Sequence, residues 1–160
     1  MRRLVVLVAV TATACGAPVA TMPSESADET AAAGATSPAD GATTVDVTLK
    51  EFAVFSVDSA PAGEVTFNVT NGGPDEVHEF VVIATDHHPA GLPTDEHGAV
   101  DEEGDGIEVV DEIEALPVGE TQQLTVDLAA GSYVLVCNIS DGVNTPHYQF
   151  DMYTSFEATD

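Results

Sequence analysis

The stretch "SYVLVCNISDGVNTPHYQFDMY", residues 132–153, carries a thiol, an imidazole and a thioether in close succession. Nine residues separate Cys137 from His147, and four separate His147 from Met152. Thiolates and imidazoles bind borderline-soft metal ions, and a thioether adds a preference for copper. A loop of this size lets the chain leave one strand, turn, and return all three side chains to one point. His78, far earlier in the sequence, can complete the set from a neighbouring strand. Each residue also has a plainer reading: Cys137 as a small buried hydrophobe, His78 as a hydrogen-bonded core histidine, His147 as an exposed loop residue, Met152 as packing. His87, His88 and His97 form a separate group that can gather metal or simply be solvated.

The cysteine count bears on these alternatives. There are two, Cys15 and Cys137. The chain opens "MRRLVVLVAVTATACGAP": Arg2 and Arg3, then an apolar run of 11 residues from Leu4 to Ala14. That run is too short to span a bilayer and has the layout of an export signal over residues 1–14. Ala12-Thr13-Ala14-Cys15 resembles the lipobox of bacterial lipoproteins, which implies acylation of Cys15; ordinary signal cleavage is the alternative. The expected location is therefore outside the cytoplasm, either lipid-anchored to the outer face of the cytoplasmic membrane or free in the periplasm or at the cell surface. With Cys15 lipidated, Cys137 has no disulfide partner. An unpaired thiol in an oxidising compartment is a liability unless it is buried, reactive or metal-bound.

The elements that must position these donors read as strands. Residues 15–43 are Ala, Ser, Thr, Pro and acidic side chains, too poor in large apolar groups to fold, and read as a disordered tether. From Thr44 the pattern changes. "EVTFNVT" puts Val65, Phe67 and Val69 on one face, and "NGGPDE" supplies a turn. "VHEFVVIA" puts His78, Phe80 and Val82 on one face; "QLTVDL" alternates through Leu124, Val126 and Leu128; "YVLVC" is apolar on both faces, as an interior strand would be. Short strands between turn signals, with no convincing helical period, imply an all-β sandwich or barrel. Residues 85–106, polar and rich in Pro, Gly and acid, are too long for a hairpin turn and read as a surface insertion.

"GEVTFNVTNGGPDEVHEFVV" resembles the segment of cupredoxins that carries their first histidine ligand, and "GSYVLVCNISDGVNTPHYQFDM" resembles their Cys-loop-His-loop-Met ending. The likeness covers residues 44–160. It implies a Greek-key β-sandwich of the cupredoxin type with one mononuclear type 1 copper held by His78, Cys137, His147 and Met152. The loop between Cys137 and His147 is longer than in small cupredoxins, and Asp151 stands where similar bacterial proteins often have glycine. Asn138 is a candidate to act around the sulfur, and Pro146, Tyr148 and Phe150 are expected around an exposed edge of His147, the usual electron port of the family.

Charge narrows the partners. The chain holds 28 carboxylates and 3 basic side chains, for a net charge of −25. Removal of residues 1–14 would leave Lys50 as the only basic side chain. Nucleic-acid binding, which needs cationic groups to neutralise phosphate, is excluded, as is electrostatic adhesion to anionic lipid. A monomer serving a redox protein with a basic docking face fits this charge, and so does adaptation to salt. No nucleophile elbow or oxyanion motif is present, so hydrolytic catalysis is not expected. The leading expectation is one-electron transfer. Its rivals are a copper carrier, chaperone or buffer delivering metal to an oxidase, and a metal-free binding module.

Overall fold

The computed structural model describes residues 42–140 and 145–160. The expected export signal, Cys15 and nearly all of the tether lie outside the described residues. Nine strands fill the described part: β1 Thr43–Lys50, β2 Ala53–Phe55, β3 Ser59–Pro61, β4 Gly63–Asn71, β5 His78–Ala84, β6 Glu108–Leu116, β7 Thr121–Leu128, β8 Gly131–Val136 and β9 Tyr153–Thr159. They form a four-stranded sheet in the order β2-β1-β4-β7 and a five-stranded sheet in the order β3-β9-β8-β5-β6. The β1–β4 and β3–β9 pairs are parallel and the other pairings antiparallel. The fold is all-β and Greek-key-like, of the cupredoxin type.

Alternation builds the space between the sheets. Val45, Val47 and Leu49 of β1, Val65, Phe67 and Val69 of β4, and Leu124, Val126 and Leu128 of β7 all turn inward from the first sheet. Phe80 and Val82, Tyr133 and Leu135, and Phe156 and Ala158 meet them from the second. Phe67 sits at the centre, its ring 5.4 Å from Phe80 and 5.5 Å edge-on from Phe156. Full burial of each such side chain contributes about 1.5–3 kcal/mol.

Strands β5 and β8 are buried on both faces, the case the apolar run "YVLVC" pointed to. Val81, Ile83, Val134 and Val136 face outward and need a cover, which the 85–106 segment supplies. The segment is more than a solvated excursion. Thr85 Oγ1 donates to the Gly106 carbonyl at its neck, Thr94 and Val100 bridge its two limbs, and Leu92 and Val100 bury themselves in the second apolar cluster.

Tyr148 completes that cluster. Its hydroxyl donates to the Pro89 carbonyl at 2.9 Å and accepts from the Leu92 N–H at 3.1 Å, so it fastens the insertion to the sheet. Tyr148→Phe leaves both backbone groups without this partner. It should cost about 1–3 kcal/mol, seen as a lower urea midpoint with an unchanged slope.

Candidate metal centre

β5 begins at His78 and β8 ends next to Cys137, and their antiparallel register (Val81 opposite Val136) brings the two residues to the same end of the sheet. The chain leaves β8, and the His147 N–H returns to the Ile139 carbonyl at 3.2 Å. A 3-10 turn over His147–Phe150 follows, and Met152 leads into β9. The Cys137 N–H donates to the Met152 carbonyl at 2.9 Å, fixing the two ends of the donor segment against each other.

The result is one compact cluster. Cys137 Sγ lies 3.4 Å from His147 Nδ1 and 3.8 Å from His78 Nδ1, and the two Nδ1 atoms are 3.3 Å apart. Cys137 and His78 are completely buried and His147 is half-buried. Met152 is completely buried beside them in sequence and in the core. Among the described residues this is the one group of His, Cys, Asp or Glu whose donor atoms converge within 4.8 Å. His87, His88 and His97 do not join it or one another in such a group. His87 Nε2 bonds the Asp105 carbonyl, His88 Nδ1 accepts from Ala90 N–H, and His97 stands exposed beside Glu96.

Burial sets the protonation states. It pushes the Cys137 thiol up to about 12, only partly opposed by the N–H groups of Glu79 and Ile139; the Glu79 N–H reaches Sγ at 3.3 Å. Burial also lowers both imidazoles below the ordinary histidine value; at His78 the neighbouring His147 adds to this and Glu51 opposes it, while at His147 Glu76 and Glu51 oppose it. At neutral pH each ring is therefore uncharged and has a lone pair to give. Glu79 next door is pushed up to about 7 by burial and then by the carboxylates of Glu112, Glu102 and Glu114, against the Asn138 N–H.

Neighbouring residues divide differently from the sequence expectation. The Asn138 amide does not attend the sulfur; it is bound to the insertion through Val100 N–H, Val100 carbonyl and Glu102. Of the three residues expected around His147, Phe150 is exposed in a cleft of about 550 Å³ that His147 also lines. Tyr148 packs on the outer face of the sheet against the insertion, and Pro146 is buried. Three positions were not singled out from sequence. Phe52, in the turn between β1 and β2, stacks on Phe150 at 4.5 Å and meets His147 edge-on at 4.9 Å. Glu51 precedes it and faces His78. Buried Asn71 accepts from Gly73 N–H and donates to the Glu76 and Leu116 carbonyls, which shapes the loop entering His78. Glu51 and Phe52 carry no local signal, since they work through residues distant in sequence; Asn71 opens the turn read from "NGGPDE", but its bond to the Leu116 carbonyl has no local signal.

No family model matches the chain, and no curated protein matches it in sequence. Solved structures do. Auracyanin from the photosynthetic bacterium Roseiflexus castenholzii, in its dithionite-reduced form, superposes with a TM-score of 0.53 at 17% identity, over 73% of this chain and 97% of that one. Auracyanin B gives 0.52 at 18% identity, over 80% and 96%. At these identities the likeness is one of fold. The chain thus has a cupredoxin-type fold carrying a His-Cys-His cluster that could hold a metal ion.

Asp151, in the place where glycine was noted as common, adopts φ 62° and ψ 25°, the left-handed conformation that ends the 3-10 turn. Its Oδ1 accepts the Tyr153 hydroxyl at 2.9 Å. Aspartate tolerates this conformation better than most side chains, whereas a β-branched one does not. Asp151→Gly should stay within about 0.5 kcal/mol of the parent, while Asp151→Val should lose about 1–2 kcal/mol in urea unfolding.

Proposed function

We propose that this domain is an extracytoplasmic type 1 copper protein that passes single electrons and catalyses no substrate chemistry of its own. The observation that carries the reading is the buried thiol facing two neutral imidazoles through their Nδ1 atoms. This donor set fits copper, since a thiolate and imidazoles suit a borderline-soft ion. A thiol with no cation beside it stays protonated at this depth. Bound copper supplies a one-electron couple and the positive charge that makes the thiolate stable.

The protein's part is binding, rigidity and access. His78, Cys137 and His147 would hold the ion, and Met152, buried next to them in the core, would be a further, weak donor. The two-sheet framework and the paired backbone of Cys137 and Met152 hold these groups in one arrangement, so little has to move between oxidation states. Complete burial of Cys137 and His78 keeps water from the sulfur. His147, in the cleft with Phe52 and Phe150, offers the short route for an electron. Asp75 and Glu76 line the same cleft, which favours a redox partner with a basic face. In this reading the domain acts as a monomer, and acylation of Cys15 with residues 15–43 as tether keeps it near the membrane. The auracyanin of R. castenholzii, solved in a chemically reduced state, offers a precedent on the same fold.

The test is reconstitution of the purified protein with Cu(II). An intense visible thiolate-to-copper band that Cys137→Ser abolishes is the expected result. Stoichiometric binding without colour would move the assignment to a copper carrier or buffer, and no binding would leave a metal-free module. Proton release gives a second check. With the histidines neutral and the thiol at about 12, copper uptake at pH 8 should expel one proton, and affinity should rise about tenfold per pH unit until the thiol itself titrates. Calorimetry in buffers of different ionisation enthalpy reads that proton directly.

A further inference from the structure

The turn between β1 and β2 brings two consecutive residues to the two histidines. Phe52 lies edge-on to His147. Glu51 approaches His78 from the side away from the sulfur, with Oε1 3.6 Å from Nε2. His78 Nε2 is buried and has no hydrogen-bond partner, and Glu51 Oε2 is a second buried atom in the same condition. The 3.6 Å gap is too narrow for a bridging water. Nothing else among the described residues meets this nitrogen.

Glu51 is held in place for the task. Its Oε1 accepts from the backbone N–H of Glu76 at 2.6 Å and of Asp75 at 3.1 Å, in the loop that delivers His78 to β5. An ionised carboxylate has about four acceptor sites, so capacity remains for an imidazole N–H. The side chain is 12% exposed, which leaves its charge weakly screened.

We propose that Glu51 is a positioning residue for His78: its carboxylate takes the Nε2–H, fixes the tautomer whose Nδ1 faces Cys137, and lowers the reduction potential of the copper site. The inference rests on the type 1 copper reading. A carboxylate on the outer nitrogen makes a ligating imidazole more basic. The same anion favours the more positively charged oxidised ion, so both effects act in one direction. A neutral backbone carbonyl in this place would supply the orientation without the charge.

The experiment compares the copper-loaded parent with Glu51→Gln. Glutamine keeps an oxygen for the Asp75 and Glu76 N–H groups and removes the charge. The expected result is a folded, coloured variant whose redox equilibrium with a mediator shifts roughly tenfold toward the reduced form, which is ~59 mV for one electron. A folded variant with the parent's potential overturns the proposal, because a merely structural role would leave the potential unmoved. Should the variant not fold, the Cu(I)-loaded parent decides by nitrogen NMR. A slowly exchanging, hydrogen-bonded His78 Nε2–H supports the assignment, and a freely exchanging one overturns it. If the parent takes no copper, the electron-transfer reading fails on its own. Glu51 is then judged in the metal-free protein, where His78 should be the Nε2–H tautomer in the parent and a mixture in Glu51→Gln.

Discussion

Everything at the candidate centre depends on the depth of one sulfur atom. Cys137 leaves β8 at a point where both faces of the sheet are covered, and complete burial holds its thiol at about 12. A group so averse to ionisation is inert as a nucleophile, and the adjacent imidazoles are too weakly basic at that depth to change this. Only a cation of the right softness reconciles a buried thiolate with its surroundings. The two-layer fold therefore creates an electrostatic deficit at one point and surrounds it with neutral donors.

That depth is achieved on two sides by different means. Inside, the packing of Phe67, Phe80 and Phe156 closes the space between the sheets. Outside, residues 85–106 cover β5 and β8. The same insertion is fastened to Asn138, Tyr148 and Gln149, which directly or closely follow the cysteine and histidine. Support for the donors thus reaches them from the outer surface as well as from the core.

The sequence was informative where one residue's chemistry or a short-range pattern carried the meaning. Alternation located β4, β5 and β7, and the doubly apolar run marked β8 as interior; the side chains of His78, Cys137 and His147 converge at one end of the sheet. β6 and β9 were less legible. "EVVDEIEAL" mixes acids and apolar residues without a clean period, and its bulged pairing with β5 shows why. "YTSFEAT" buries only Phe156 and Ala158 and depends on the parallel partner β3 and the antiparallel β8. Glu51 and Phe52 were invisible for a related reason: their roles consist of contacts with residues more than twenty positions away. Asn71 opens the turn that "NGGPDE" marked, but its bond to the distant Leu116 carbonyl was not legible there.

The fastening of the insertion also determines where this chain is free to vary. Surface loops are ordinarily the places where homologous chains gain and lose residues. Here a deletion between 85 and 106 would pull on Asn138 and Tyr148 and so on the segment holding the sulfur. The Ala129–Ala130 turn, exposed at the far end of β8, carries no such tie to the donors. Length polymorphism, domain insertion or an affinity tag would be absorbed there, while the acidic insertion, though it looks expendable from outside, would be held to nearly constant length.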